Sequence, residues 1–453
     1  MLPWSMVFRL ALLASASLSL ASCSPSAATA PSGADAGVTA AQCPRPQGPG
    51  TVHDGETIAA DATWTAAASP HFIRSPASVK LGATLHLEPC AEVRIAADSG
   101  MLVEGRLEAP GTAAQPILIT ADDASKPFSF IEVRAGFADL SYVTLARGGA
   151  VGANSNAMLD VWGKSDGRRS EHARLRHVTM TGSEQFGLTL ERDAALSPDS
   201  DSLAIHGAKR APVAVYGAAA AGSIPPGDYS GNAADEIMVV ARDAMTEDTV
   251  WHARGVPYHL GDSRGNGTDF RVGASTGAAV ATWTLEAGVT LRVDDTTRIL
   301  AQKSGSTITG SVIARGTASA PVVFTSASSA PKAGQWRGLV FEATPAPSTS
   351  LDYLEIRYAG GPSQANSFHC KPGTNGGFSS DEDAALAIFG EPASAFLTHA
   401  TVADSAGDGV DLAYSGAAVD FAAGNTFTAV ARCRVTLPRA KDGSCPSPVP
   451  ACN

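Results

Sequence analysis

The 453-residue sequence is poor in basic residues, in aromatic residues and in helical patterns. Its 33 Lys and Arg face 44 Asp and Glu, and the net charge of −11 argues against a nucleic-acid partner and against electrostatic adhesion to an anionic lipid surface. Aromatic side chains make up only 6%. Past the first 50 residues there is almost no stretch of Leu, Glu, Lys and Arg at helical spacing, so we expect few helices.

Several motifs of common enzymes are also missing. The sequence has no Cys-x-x-Cys pair or His cluster with zinc-site spacing and no phosphate loop. We therefore predict neither a bound metal nor another cofactor.

What the chain does contain is many small residues and short apolar bursts. There are 45 Gly and 28 Pro, and hydrophobic residues reach 44%. The bursts alternate with polar residues and are separated by Gly, Asn, Asp or Pro, as in Leu85-x-Leu87, Val93-x-Ile95, Ile117-x-Ile119 and Ile131-x-Val133. This pattern predicts many short β-strands joined by tight turns.

The first 23 residues have the layout of an export signal. Arg9 precedes an apolar run, Leu10 to Leu20, that is too short to span a membrane. The following Leu20-Ala21-Ser22-Cys23 resembles the bacterial lipobox, in which the Cys thiol receives a diacylglyceryl group and becomes the new N-terminus. We expect a signal peptide at 1–22, lipidation of Cys23, and an exported protein held at the outer membrane or cell surface by its acyl anchor. Residues 23–50 are rich in Ala, Ser, Pro and Gly and predict a flexible tether.

Six cysteines remain if Cys23 carries lipid, an even number that fits three disulfides in an exported protein. Cys43 precedes the first apolar burst and Cys90 lies in an early one, so we expect this pair to fasten an N-terminal cap. Cys370 should pair within the C-terminal group, and the two remaining cysteines should pair with each other. That group consists of Cys433, Cys445 and Cys452, in a Cys-rich cap at 431–453.

The chain also resembles itself. Corresponding motifs recur in the same order with offsets that grow from 187 to 222 residues, which indicates a duplication with insertions in the second copy. The matched pairs are Asp61–Trp64 with Asp248–Trp251, Leu87–Ile95 with Leu285–Val293, Gly111–Thr120 with Gly316–Thr325, Leu140–Tyr142 with Leu351–Tyr353, and Leu175–Thr179 with Leu397–Thr401.

These repeats predict two homologous halves, at 51–240 and 241–430. A doubly wound α/β sheet is excluded because nothing helical separates the strands. A sandwich, a propeller and a β-solenoid are compatible with the strands, and strands this short, in a long run without regularly alternating hairpin signals, favour the solenoid.

Some of these motifs resemble a known family. Leu285–Val293, Gly316–Thr325 and the run Gly334-Gln-Trp336-Arg-Gly338 are similar to bacterial right-handed parallel β-helix proteins of the pectate-lyase-like fold. The resemblance covers about residues 50–430. It implies an all-β, right-handed parallel β-helix and is nearly silent on activity.

Candidate chemical groups are few. We interpret Asp122-Asp123 and Asp294-Asp295 as solvated turns. His177 and His399 recur at one place in both halves, which indicates a shared structural position. The nearest approach to a cation or partner site is Asp381-Glu382-Asp383 in a Gly- and Ser-rich insertion, although a plain surface loop is the simpler explanation. His206-Gly-Ala-Lys209-Arg210 faintly resembles the basic motifs of polygalacturonase-like enzymes but lacks their spacing.

Two functions stay open. The first is a non-catalytic, monomeric surface lipoprotein whose β-helix binds glycans or protein partners, and it agrees with the missing catalytic constellation. The second is a polysaccharide lyase or hydrolase of the same fold, which the family resemblance alone suggests.

Overall fold

The computed structural model describes residues 43–46, 48–151, 156–163, 169–240, 243–261, 269–362, 370, 383–445 and 452. The described chain is almost entirely β-structure, and its wall strands pair in parallel from one coil to the next, so the fold is a parallel β-helix. Two short 3-10 helices interrupt it, η1 (Ala66–Ala68) and η2 (Ala218–Ser223).

Five parallel sheets form the walls, and we name them A to E. Sheet A has eight strands: β1 (Thr51–Asp54), β4 (His71–Ser75), β7 (Glu92–Ile95), β10 (Ile117–Ala121), β13 (Val143–Ala146), β16 (Thr179–Thr181), β19 (Leu203–His206) and β21 (Gly227–Asp228). Sheet B has fourteen: β2 (Thr57–Ile58), β5 (Ala77–Val79), β8 (Gly100–Val103), β11 (Phe130–Arg134), β14 (Ala157–Trp162), β17 (Phe186–Glu191), β20 (Val213–Val215), β22 (Ile237–Val240), β24 (Tyr258–Gly261), β27 (Thr290–Val293), β32 (Val322–Ser326), β35 (Leu354–Arg357), β38 (Thr401–Ala403) and β40 (Thr426–Thr428).

The three remaining sheets are shorter. Sheet C has six strands: β3 (Ala62–Trp64), β6 (Thr84–Leu87), β9 (Arg106–Pro110), β12 (Phe137–Ser141), β15 (Ser170–Arg176) and β18 (Ala194–Leu196). Sheet D has five: β23 (Thr249–Trp251), β26 (Ala281–Glu286), β31 (Gly310–Arg315), β34 (Ser350–Asp352) and β37 (Leu397–Thr398). Sheet E has five: β25 (Asp269–Val272), β28 (Arg298–Ala301), β33 (Gly338–Phe341), β36 (Ala384–Ile388) and β39 (Asp408–Leu412); β29 (Lys303–Ser304) and β30 (Thr307–Ile308) form a separate antiparallel hairpin.

The core is the interior that these walls enclose. Alternate residues of each strand point inward, as the apolar bursts predict, and stack on their counterparts in the next coil. In sheet A, Val93 is in register with Ile119, which is in register with Leu145, and all three are fully buried. The residues that alternate with them in each strand point outward.

Strand pairing follows the same order in the two predicted halves. Trp64 pairs with Leu87, and Trp251 pairs with Leu285 at the matching place. The series β4–β7–β10–β13–β16–β19 of sheet A corresponds strand by strand to β24–β27–β32–β35–β38–β40. These registers support a duplication, which stays a proposal.

The second series nevertheless belongs to a different sheet. β24 does not stack on the last strand of sheet A; it pairs with β22 of sheet B. By the same correspondence, strands of sheet B in the first half match sheet E, and strands of sheet C match sheet D. In residues 241–430, the series that matches sheet A therefore continues a different wall of the β-helix.

The disulfides join the pairs expected from the sequence. Cys43 is bonded to Cys90 at the N-terminal end, Cys370 to Cys445 and Cys433 to Cys452 at the C-terminal end. The sequence had left the partner of Cys370 open within the C-terminal group.

Non-reducing peptide mapping should recover these three linkages and no free thiol among the six cysteines. Because the Cys43–Cys90 bond joins residues 47 apart, replacing both by Ser should lower the free energy of unfolding by about 4 kcal/mol on the chain-entropy argument. The matched double Ser variant of Cys433 and Cys452, which are 19 apart, should lose about 3 kcal/mol. A bond between Cys43 and any C-terminal cysteine would contradict the two-cap arrangement.

Candidate functional site

A row of buried polar side chains lies on the outer face of sheet B in the first half. Glu132 of β11 is in register with Asp160 of β14, which is in register with Thr189 of β17. Adjacent strands are about 4.8 Å apart, so the three side chains are close neighbours. Although they point away from the core, they are only 4%, 2% and 0% exposed.

Each member of the row has a partner. The Thr189 hydroxyl donates a hydrogen bond to Asp160 Oδ1, and Glu132 forms an ion pair with the half-exposed Arg134. Burial raises the pKa of Glu132 above its ordinary value, and the nearby Asp160 adds to the rise, while the charge of Arg134 opposes it. Glu132 is therefore easier to protonate than an exposed carboxylate.

Arginine and aromatic side chains form the rim of this row. The guanidinium carbons of Arg134 and Arg192 lie 5.5 and 4.7 Å from the ring centroid of Trp162. On the opposite border of the strands, Arg210 lies 3.9 Å from the centroid of Phe186. Arg192 is exposed and Trp162 is partly exposed. We call Glu132, Asp160, Thr189 and this rim the sheet B face.

The corresponding face of the second half has a different chemistry. On sheet E the register places Val340, Ala387 and Asp411 where the sheet B face has Glu132, Asp160 and Thr189. Phe389 stands three residues after the inward Leu386, as Trp162 stands three after Leu159. The polar row is therefore not a requirement of the β-helix.

A second polar cluster lies where the halves meet. His259 of β24 points Nδ1 at Glu236 Oε1, 2.6 Å away, and Nε2 at Asp294 Oδ1, 2.7 Å away. Arg292 donates to the other oxygen of Glu236 at 2.7 Å. Burial lowers the pKa of His259, but the hydrogen bonds and charges of the two carboxylates outweigh it and raise the pKa to about 9. The ring is thus a structural imidazolium that links the two halves and has no free nitrogen for base catalysis.

This cluster corrects one sequence interpretation. Asp294 is buried at 7% exposure and holds His259, so it is not a solvated turn, because its strand end lies under the neighbouring coils. Its neighbour Asp295 is exposed and accepts a hydrogen bond from Gln335, and Asp123 is likewise an exposed turn residue.

The recurring histidines occupy equivalent structural positions, as expected. His177 stacks on Tyr142 with ring centroids 4.3 Å apart, and His399 stacks on Tyr353 at 4.6 Å. All four residues have positive φ, between 48° and 51°. His206 makes a corner contact, with Nδ1 2.7 Å from the Ser230 carbonyl oxygen.

The other sequence candidates contribute little to a site. Asp383 is buried and its carbonyl accepts a hydrogen bond from the Asp408 amide. Asp381, Glu382 and Cys23 lie outside the described residues. Within the described ranges, no group of three His, Cys, Asp or Glu side chains is arranged to hold a metal ion. Among these same residues no helix is long and apolar enough to cross a membrane.

Sequence reasoning missed the sheet B face. Glu132 is the unassigned middle residue of Ile131-x-Val133, and Asp160 stands between Leu159 and Val161. A charged residue inside an apolar burst was the available signal, but only the strand register brings the two carboxylates together.

The comparisons with known proteins concern the fold. Residues 273–367 match the family model described as a pectate-lyase like beta helix domain. This match covers about a fifth of the chain and agrees with the observed parallel β-helix. It does not include the sheet B face, whose polar row lies in β11, β14 and β17. No curated protein and no solved structure matches the chain significantly.

The His259 cluster gives a pH prediction. Because the folded pKa lies above the unfolded value of about 6.5, its stabilisation is fully present below pH 6.5 and is lost as pH rises through about 9. Chemical denaturation across this range should show a fall of at most roughly 3 kcal/mol attributable to this group. A His259→Gln variant should lack this part of the pH dependence, whereas exposed His399→Gln should retain it. Identical profiles for His259→Gln and wild type would contradict the assignment.

Proposed function

We propose that this protein is an exported lipoprotein, anchored through Cys23, whose β-helix binds an acidic glycan or the acidic surface of a protein partner at the sheet B face without cleaving it. The proposal rests on the difference in solvent exposure between the carboxylates and the rim of that face. The carboxylates that could perform acid–base chemistry are covered, whereas Arg192, Arg134 and the edge of Trp162 are open to solvent.

The rim suits an anionic ligand. A guanidinium held against an aromatic ring keeps its planar N–H fork ordered, and such a fork matches carboxylate groups in two simultaneous hydrogen bonds. Arg134 already pairs with Glu132, so Arg192 is the stronger candidate for contact with ligand. The buried row beneath supports the rim.

The anchor and the domain division belong to the same proposal. The lipobox-like Leu20–Cys23 and the three disulfides agree with export to an oxidising compartment. The tether at 23–50 would let the β-helix, as a monomer, reach ligands away from the membrane surface.

A lyase or hydrolase is the second candidate, and one observation favours it. Glu132 has a raised pKa and lies one coil from Asp160, which is the kind of carboxyl pair that acid–base catalysis uses. Contact with substrate would require the covered carboxylates to become accessible.

Binding measurements with a panel of acidic and neutral polysaccharides test the main proposal. In the full chain carrying Cys23→Ala, we expect an acidic member to bind, and the Trp162→Ala, Arg192→Ala double variant to weaken it at least about tenfold, or 1.4 kcal/mol. Phe389→Ala on the corresponding sheet E face is the matched control and should bind as wild type. Equal loss in both variants would place binding elsewhere.

The same mixtures should be assayed for new reducing ends and for unsaturated sugars. We expect neither. If products appear and Glu132→Gln abolishes them while leaving affinity unchanged, the protein is an enzyme and the binding proposal fails.

The anchor has its own test. Cys23→Ala should convert a detergent-phase protein into one that is released or held as precursor, since no acyl chain can be attached. Continued partitioning into the detergent phase, like that of the wild type, would contradict lipidation at this residue.

A further inference from the structure

The first coils of the β-helix contain a polar cluster where later coils have aliphatic side chains. His53 of β1 and His71 of β4 point into the core beside Trp64 of β3, and they are 7%, 2% and 3% exposed. His71 is in register with the buried Val93 of the next coil. Two imidazoles therefore occupy positions that are otherwise filled by apolar residues.

The two imidazoles form a continuous chain of contacts. His71 Nε2 lies 2.9 Å from the carbonyl oxygen of Thr65, and His71 Nδ1 lies 3.1 Å from His53 Nε2. His53 Nδ1 contacts the carboxylate of Glu56, which is partly open to solvent. The Trp64 ring stacks against both imidazoles, with its centroid 3.9 Å from that of His53 and 5.2 Å from that of His71.

These partners fix how many protons the two rings hold. Since a carbonyl only accepts, His71 carries a proton on Nε2. The contact between His71 Nδ1 and His53 Nε2 needs one proton, which either ring can supply. His53 Nδ1 donates a further one to the Glu56 carboxylate, so the complete chain of contacts holds one proton more than two neutral imidazoles carry.

A second proton cannot be accommodated in this geometry. With both rings doubly protonated, an N–H would stand on each of the two nitrogens that are 3.1 Å apart, and neither nitrogen could accept. The remaining charged group near His71 among the described residues is Glu88, whose Oε2 already accepts the Ala66 amide at 2.9 Å. Burial lowers the pKa of His71, and the proximity of His53 lowers it further, in agreement with this exclusion.

The second half shows what the same position does without a titratable ring. Tyr258 follows Trp251 as His71 follows Trp64, and its ring lies 4.7 Å from the indole. Its hydroxyl donates to the His252 carbonyl at 2.8 Å, as His71 donates to Thr65. A phenol therefore makes the same structural contact with no charge change between acid and neutral pH.

We propose that the N-terminal coil is a pH-sensitive lock, closed when the His53–His71 pair holds one added proton and opened when acidification adds a second. Opening would loosen β1 and β4, next to the Cys43–Cys90 bond and the predicted tether, while the later coils stay folded. This inference is independent of the ligand assigned to the sheet B face.

Hydrogen exchange of the full chain carrying Cys23→Ala tests the lock. After correction for intrinsic exchange rates, amides of residues 51–75 should lose protection about tenfold between roughly pH 7.5 and pH 5, and amides of 290–326 should not. His71→Tyr, which introduces the side chain found at the equivalent position, should abolish this pH effect. His86→Tyr, on the outer face of β6, is the matched control and should preserve it.

No pH effect in the wild type, or an unchanged effect in His71→Tyr, would overturn the proposal. If His71→Tyr does not fold, an NMR titration of the wild-type imidazoles decides the question. We expect the two rings to share one added proton near neutral pH and to take up the second only in acid, together with the loss of exchange protection. Uptake of both protons with no structural change would also overturn it.

Discussion

Stacking of inward side chains on a parallel hydrogen-bond ladder is the constraint on which the rest of this structure depends. A single coil has no interior of its own, so Val93 is buried only because His71 and Ile119 lie in the coils on either side. This requirement fixes the register of each strand and leaves outward residues free. The core therefore repeats from coil to coil, whereas the outer surface differs between coils.

The junction of the halves shows how the constraint is satisfied when the repeat changes phase. Sheet B continues without interruption from β20 through β22 to β24, although β24 corresponds to a strand of sheet A. Inward residues still meet, with Ile237 opposite Tyr258. On the outer face of the same strands, His259 contacts Glu236 and Asp294, and these contacts form a specific polar link at the junction. Such a link adds orientation to apolar stacking, which by itself has little directional preference.

The sequence predicted the parts of the molecule that the repeat controls. Inward residues return at every coil, so the strands, the solenoid, the two caps and the equivalent corners of His177 and His399 could be inferred from pattern alone. Glu132 and Asp160 are 28 residues apart in the sequence and become neighbours only through the pairing of β11 with β14. Asp294 was misassigned for a related reason, since the burial of a strand end depends on which coil covers it.

The contrast between the two outer faces shows that this strand geometry does not require the charged row. A buried carboxylate with a raised pKa is less favourable at neutral pH in the folded protein than in water, so Glu132 reduces stability there. The matching position on sheet E is filled by Val340, which is buried at 2% exposure in an apolar cluster with Leu300 and Ala387. The same strand geometry thus accommodates either a carboxylate or an aliphatic side chain at this position. The carboxylate, which is the less stable choice, occurs where Arg134, Trp162 and Arg192 form a cationic rim. Its ion pair with Arg134 holds that guanidinium near the indole.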